Sequence, residues 1–586
     1  MAREGRASVS LFVVACVAAL PSSQQPFSVE LRRPLFTTDP AFLSASFDAS
    51  AIQGFNPFGF FTSVRVDNLL AGLSPMYLRF SGTAIDALRF NASGECANGA
   101  KGAPGGYCLN TTQIGAVVAL ATRANASLIL GINGRLGKNS TTGPAAPWDS
   151  ANAEELLAWL SSAIAADPAH LAAPVAYELG NEPDLWDFGS AGHAADGGQL
   201  ARDVAALRAL VARFPALATP AGAAPRSFGP DSCNCWHCSG SPSGCVFEKF
   251  AAELEAANAT ANRTLTFHLY NSGGQQTPLT MTSTELADRV GGLVAQARSY
   301  LAGLPRAAAL PLVIGETGEC VRGGCEGPPE NATASAAEVG AGGGPVRPFY
   351  SESFLDGFLF LDKLGISAAL NVSVIMKEKV FGGNDGLVNP LLYPAPPYWV
   401  ALAHKQLVGP RVLAVANSTA PGRTLRVYAQ CARAWAGGGG DPAPPPTARV
   451  APAYPRGAVV LIVVNLDANA TTGAEVVLAD AWTKLPVPLV PRDEYRFSGP
   501  LPAPLPGGDA ACAFAPQHGL PYLPGASCLN GRLLFMGPTP GGGAGANTTL
   551  PALVPATVTT PGSRLLVPPV FHGFFVLPSA AAPACM

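Results

Sequence analysis

Between residues 40 and 405, short runs of consecutive apolar residues alternate with longer stretches in which apolar positions recur every three or four residues. The first pattern marks strands buried on both faces, the second helices burying one stripe, so the alternation predicts repeated βα units around a parallel sheet. Eight strands are predicted, at residues 42–47, 76–80, 128–132, 175–179, 226–229, 265–270, 312–314 and 371–376. Helical patterns lie between them, at 153–166, 203–214, 247–257, 286–301 and 352–364. Eight such units close into a barrel whose site gathers at the C-terminal ends of the strands. Beyond about residue 410 the texture changes to strands without helices, at 424–430, 459–466, 475–478, 494–497, 532–536 and 571–577. That pattern predicts an antiparallel β-sandwich, with Gly/Pro-rich connections at 437–446 and 537–546. The expected fold is α/β: a (β/α)8 TIM barrel over residues 40–405 and a C-terminal antiparallel β-sandwich domain built from 24–39 and 406–586.

Two strand tips carry the candidate chemistry. Tyr177-Glu178-Leu179-Gly180-Asn181-Glu182-Pro183 is a buried strand that ends on glycine and then presents Asn and Glu, and by count it is strand four. There it is similar to a large group of retaining glycosidases, which keep their acid/base Glu at this tip with the adjacent Asn on the sugar 2-hydroxyl. Retaining hydrolysis needs a second carboxyl about 5 to 5.5 Å away. Leu312-Val313-Ile314-Gly315-Glu316-Thr317, strand seven, supplies Glu316 as the candidate nucleophile. Strand six ends in Thr266-Phe267-His268-Leu269-Tyr270 and offers a hydroxyl to orient that nucleophile. A general acid must hold its proton near neutral pH, so Glu182 is expected protonated and Glu316 ionised.

Composition narrows the partners and the compartment. With 37 basic and 40 acidic residues, no global field draws the chain to nucleic acid or to an anionic membrane. Few basic residues lie near the strand tips beyond Arg135, Lys138, Arg322 and Lys377, which favours an uncharged or lightly charged glycoside over a highly charged polyanion. Residues 1–23 have the layout of a secretory signal peptide, with Arg3 and Arg6 ahead of a short apolar run, and no later segment reads as a membrane helix. Of 13 cysteines, Cys16 falls inside that signal and leaves an even 12. Eleven Asn-X-Ser/Thr sites agree with export. The expected address is the secretory pathway, ending outside the cell, in the wall or matrix, in a lysosome or vacuole, or at a membrane surface.

Further motifs make the resemblance specific. Leu73-Ser74-Pro75-Met76-Tyr77-Leu78-Arg79-Phe80-Ser81-Gly82-Thr83, Ser46-Phe47-Asp48-Ala49-Ser50, the stretch 356–365 and Tyr398-Trp399 resemble heparanases and β-glucuronidases of glycoside hydrolase family 79. The resemblance implies a retaining hydrolase releasing β-linked glucuronic acid from glycans, proteoglycans or glycosides, without metal or cofactor. The alternatives are an exo-β-glycosidase of the same fold acting on a neutral sugar and a catalytically silent carbohydrate-binding relative. It also implies that Asp48, Thr83, Asn133, Asn181, His268, Tyr270, Gly323, Gly324, Gly383 and Asp385 contact the sugar, and that Cys431 pairs with Cys585. In such enzymes the position of Asp385 is commonly Tyr; here the loop reads Gly382-Gly383-Asn384-Asp385-Gly386, so Asp385 either turns to solvent, the plainest expectation, or is neutralised by Lys377 or Lys379, or faces a sugar that lacks the carboxylate. The group Cys233, Cys235, Cys238 and Cys245 has the spacing of a zinc cluster, but an oxidising compartment favours disulfides.

Overall fold

The computed structural model describes residues 26–54, 60–93, 107–188, 194–218, 225–233, 245–273, 276–321, 351, 353–382, 385–389, 392–418, 422–434, 450–468, 472–499, 527–538 and 547–586. Eight parallel strands close a barrel in chain order: β1 (Leu43–Asp48), β2 (Tyr77–Ser81), β3 (Ser127–Ile132), β4 (Ala176–Leu179), β5 (Arg226–Ser232), β6 (Arg263–Gly273), β7 (Leu312–Val321) and β8 (Val374–Lys377). Each is followed by a helix: α1 (Val64–Gly72), α2 (Thr111–Arg123), α3 (Ala151–Ala166), α4 (Gly197–Val211), α5 (Val246–Ala256), α6 (Thr284–Tyr300), α7 (Asp356–Ala369) and α8 (Pro396–Leu407).

Local chemistry sets the helix starts. Asn110 caps α2 by accepting from the Gln113 N–H, and the Gln113 side chain returns the bond to the Asn110 N–H. α4 begins at Gly197, earlier than its apolar stripe suggests, because Asp196 accepts from the Gln199 N–H and caps a first turn that carries little periodicity.

β6 and β7 outrun the predicted segments. Their apolar runs stop where the strands reach the site, yet the ladder continues from His268 opposite Glu316 to Gly273 opposite Val321. A register shift between Phe267 and His268 marks where the polar tips begin.

The main antiparallel sheet runs in the order Phe36–Thr37, β9 (Val408–Leu413), β10 (Leu425–Ala432), β11 (Val459–Asn465), β13 (Phe571–Leu577), β12 (Arg492–Ser498), Cys528–Leu529 and Arg532–Leu533. Its residues alternate between two cores. Val427, Leu461 and Phe575 face Phe27, Val476 and Leu478 of smaller strands, while Tyr428, Ile462 and Phe574 face the barrel through α7 and α8. A sheet covered on both sides explains the unbroken apolar run of β11. The N-terminal strand Phe27–Val29 pairs with Val415–Ala416 and Leu478–Asp480. Cys431 is bonded to Cys585, with the Cα atoms 5.2 Å apart. No helix among the described residues is long and apolar enough to cross a membrane.

Candidate active site

The polar tips of β4 to β7 meet above an apolar floor that includes Tyr77, Ile129, Phe228, Val313 and Met376. After β4 the chain turns through Gly180 (φ +81°) and Glu182 (φ +45°), both in the left-handed region. A Cβ on Gly180 would stand 2.5 Å from the Trp186 ring, so this turn requires glycine. The Asn181 N–H donates to Asp86 Oδ2 (2.9 Å), and Asn181 Oδ1 accepts from Arg79 Nη2 (2.9 Å). Glu182 donates its N–H to the Asp231 carbonyl (3.0 Å), and its carboxyl Oε1 lies 2.9 Å from His268 Nδ1. These bonds hold a non-glycine residue where the backbone costs about 1–3 kcal/mol.

Glu316 stands on β7 beside His268 in the ladder. It accepts from the Tyr270 hydroxyl (2.6 Å) and from Arg79 Nη1 (3.0 Å). One oxygen of Glu182, one of Glu316 and a ring nitrogen of His268 all lie within 4.8 Å of one another. Arg79, fully buried, also donates to Glu178 (2.7 Å) and to Asp231. Asp231 in turn lies 3.0 Å from His268 Nε2, off the direction of a hydrogen bond, so that contact is Coulombic.

Charge is shared across this group. Burial works against a charged His268, but Asp231 and then Glu316 hold its pKa well above the ordinary imidazole range. Burial pushes Asp231 up, and Arg79 and then His268 outweigh it, leaving the carboxyl below its ordinary range. Burial raises Glu178 to about 8 and Asp86 to about 7. Arg79 and His268 already supply positive charge to the carboxylates, so the trio is not read as a metal centre. One carboxylate furnished with two donors, facing a second carboxyl on an imidazole, can pair nucleophilic attack with proton transfer.

The other sequence-predicted residues divide. Asp48 closes β1 and accepts from the Ser50 N–H (2.7 Å). Thr83 is exposed just past β2. Asn133 spends its amide on backbone, donating to the Leu88 carbonyl (2.8 Å) and accepting from the Arg135 N–H (2.9 Å). Gly323, Gly324, Gly383, Arg322, Cys235 and Cys238 lie outside the described residues, while Cys233 and Cys245 are buried.

No family model matches the chain. A heparanase of Gallus gallus is 27% identical over 99% of this chain and 100% of its own length. The likeness to heparanases thus runs end to end. It agrees with the resemblance carried by the motifs. A hyaluronoglucuronidase of Hirudo nipponia is 27% identical over 69% of the heparanase-like chain and 78% of its own length. An inactive heparanase-2 of Homo sapiens is 23% identical over 95% of the chain and 89% of its own length. Among solved structures, a 4-O-α-L-rhamnosyl-β-D-glucuronidase of Fusarium oxysporum 12S shares the fold with a TM-score of 0.57 at 14% identity, covering 94% of this chain and 100% of that one.

In this heparanase-like chain the structure also names residues that pattern reading passed over. Arg79, Glu178, Asp231 and Asp86 link the two carboxyl tips. The signal was present for two of them: Leu78-Arg79-Phe80 and Tyr177-Glu178-Leu179 each place one charge inside an otherwise apolar strand, which a buried strand tolerates only when the charge is partnered.

Asp385 does not face solvent, and of the two lysines expected to neutralise it the structure brings Lys377 to it. It is 1% exposed, with φ +66°, and sits in a cluster of Glu319, Asp356, Lys363 and Lys377, all fully buried. Its Oδ1 accepts from the Glu319 N–H (3.4 Å) and lies 3.8 Å from Lys377 Nζ. Lys363 and Lys377 both contact Glu319, so two ammonium groups already fill the space between the three acids. The reason is electrostatic: Lys377, on a strand buried on both faces, draws carboxylates inward. Lys138 is likewise spent, on Asp203 at 2.8 Å. The cations counted at the strand tips are therefore partly internal counterions.

Proposed function

We propose that this chain is a retaining glycoside hydrolase that releases β-linked glucuronic acid from glycans, proteoglycans or glycosides in the secretory pathway, with Glu316 as nucleophile and Glu182 as general acid/base. The observation that carries the reading is the approach of the two carboxyl groups to within 4.8 Å, with Tyr270 and Arg79 donating to Glu316 and His268 on Glu182. A retaining pair stands about 5 to 5.5 Å apart, whereas an inverting pair leaves roughly 6.5–9.5 Å for water. Glu316 attacks the anomeric carbon as Glu182 protonates the departing oxygen. Glu182, then a carboxylate, takes a proton from the water that releases the sugar from Glu316. The hyaluronoglucuronidase and heparanase likeness supports the uronate. A neutral-sugar reading draws support from the acidic surroundings of Glu316: burial, then Asp385, then Glu316 raise Glu378 to about 8.

The test is release of a chromogenic aglycone from a β-glucuronoside against the matched β-glucoside and β-xyloside. Glu316→Gln should abolish turnover, and Glu182→Gln should keep activity on an activated leaving group, with azide rescue. Faster release of the glucoside would overturn the uronate, and equal loss in both variants without rescue would overturn the roles.

A further inference from the structure

His268 is buried among charges from every side. Glu182 faces it from the turn after β4, Asp231 from β5, Glu316 from β7 at 3.9 Å, and Glu178 from inside the barrel, with Arg79 reaching it through Asp231 and Tyr270 following it on β6. Asp231 touches both halves of the machinery, since it contacts Arg79, which holds Glu316, and His268, which holds Glu182. Its surroundings are specific. Asp231 is fully buried at φ +59°, and a Cβ on Gly315, the residue before Glu316, would stand 2.5 Å from its Oδ1.

An ionised carboxylate 3.0 Å from a ring nitrogen repels a lone pair there and favours a proton. With Nε2 protonated, the remaining question is the space between Nδ1 and Glu182 Oε1, 2.9 Å apart. A neutral imidazole has one N–H and cannot donate to two carboxylates, so either Glu182 carries the proton toward Nδ1 or Nδ1 carries it toward Glu182.

We propose that Asp231 is a positioning residue that keeps the proton on His268 Nε2, so that Glu182 and His268 Nδ1 hold one proton between them and deliver it to the leaving group as a pair. This rests on the reading of Glu182 as acid/base. In the first step the shared proton passes from Glu182 to the departing oxygen as that bond breaks and the bond to Glu316 forms. In the second, water gives a proton back to the pair as its oxygen bonds the anomeric carbon and Glu316 leaves. Burial weighs against the imidazolium, but the negative field of Asp231 and Glu316 gives His268 a greater proton affinity than a lone histidine has.

The experiment is the pH dependence of kcat/KM for wild type, Asp231→Asn, His268→Gln and the double variant. Asp231→Asn keeps the size and removes the charge, so the basic limb should move down by about one unit or more. In the His268→Gln background the same change should add no shift. Superimposable profiles, or an equal shift in that background, overturn the proposal. A shift confined to the acidic limb also overturns it, because Asp231 would then act through Arg79 and Glu316 alone. Histidine nitrogen NMR on the wild-type chain is independent of any variant's folding and of any hydrolase activity: His268 Nε2 should stay protonated between about pH 5 and 8. An unprotonated Nε2 refutes the proposal even if the chain proves to be a glycosidase, whereas an inert chain with a protonated Nε2 refutes only the proposed function.

Discussion

Arg79 shows why single residues decide this site. One guanidinium donates to Glu178, Asn181, Asp231 and Glu316 at once, which a planar fork can do and an ammonium cannot. The tips that carry Glu182 and Glu316 were legible because each ends an apolar strand with Gly followed by carboxyl chemistry. Asp231 was not, since the apolar pattern of the fifth strand stops at Gly229 while the strand runs on to Ser232, and its contacts come from β2 and β6. Asp385 was legible only in part: the sequence offers Lys377 or Lys379 as its counterion, but a Gly-rich loop does not show that the carboxyl is buried beside the lysine on β8. Burial, with Glu319 adding to it and Lys377 opposing it, moves Asp385 from the ordinary 3.8 to about 6. A raised carboxyl binds its proton more tightly folded than unfolded, so its contribution to stability is present below about pH 4 and lost as pH rises through about 6. Asp385→Asn mimics the protonated form, and Lys377 keeps Glu319 and Asp356. The variant should therefore match wild type near pH 4 and exceed it at pH 7 by roughly 1–3 kcal/mol in urea unfolding. Destabilisation at both pH values would mean that Lys377 needs Asp385 as its counterion.

At the scale of elements, α7 joins the two halves. Every residue from Asp356 to Ala368 is buried, so the helix has no exposed face and its apolar pattern does not mark where it begins. That is why the sequence places its start at 352, whereas the helix begins at Asp356. The barrel strands were easier, because each is a short apolar run between polar turns. The small strands Val415–Ala416 and Cys528–Leu529 are too short to leave a period and exist only through their partners. Asp362 of α7 accepts from Arg426 Nη1 (2.9 Å) and the Tyr428 hydroxyl (2.7 Å), both on β10. Asp362→Ala strands the tyrosine and leaves Arg426 with Asp288 (2.5 Å) and the Arg423 carbonyl (3.2 Å). Removing one partner of a buried pair costs about 3–5 kcal/mol, which should appear as a lowered Tm. A Tm within one degree or so of wild type would show that water or Asp288 takes over the site, and that α7 is held by apolar packing.

For the whole molecule, the disulfide between Cys431 and Cys585 is a crosslink whose effect can be separated from catalysis. It closes a loop of 154 residues, tying β10 to the 3-10 turn Pro583–Cys585 at the end of the chain. In the chain-entropy treatment a loop of that length restrains the unfolded chain by about 5 kcal/mol, and measured effects are commonly about 2–4 kcal/mol. The sulfurs lie in the core between the main sheet and the small strands, while Glu182, Glu316, Arg79, Asp231, His268 and Tyr270 all belong to the barrel. Reductant is a poor probe, because Cys108, Cys320 and Cys528 are also disulfide-bonded and Cys320 lies on β7, the strand that carries Glu316. The informative change is Cys431→Ser with Cys585→Ser together, which leaves no lone thiol to mispair. The double variant should unfold at a lower denaturant midpoint, with a loss of about 2–5 kcal/mol, and keep its 25 °C kcat/KM within about twofold. An unchanged midpoint would mean that the sandwich already holds the terminus through β9 and β10. A fall in kcat/KM at full native ellipticity would mean that the sheet sets the geometry of the barrel tips through α7, and the two halves would have to be treated as one catalytic unit.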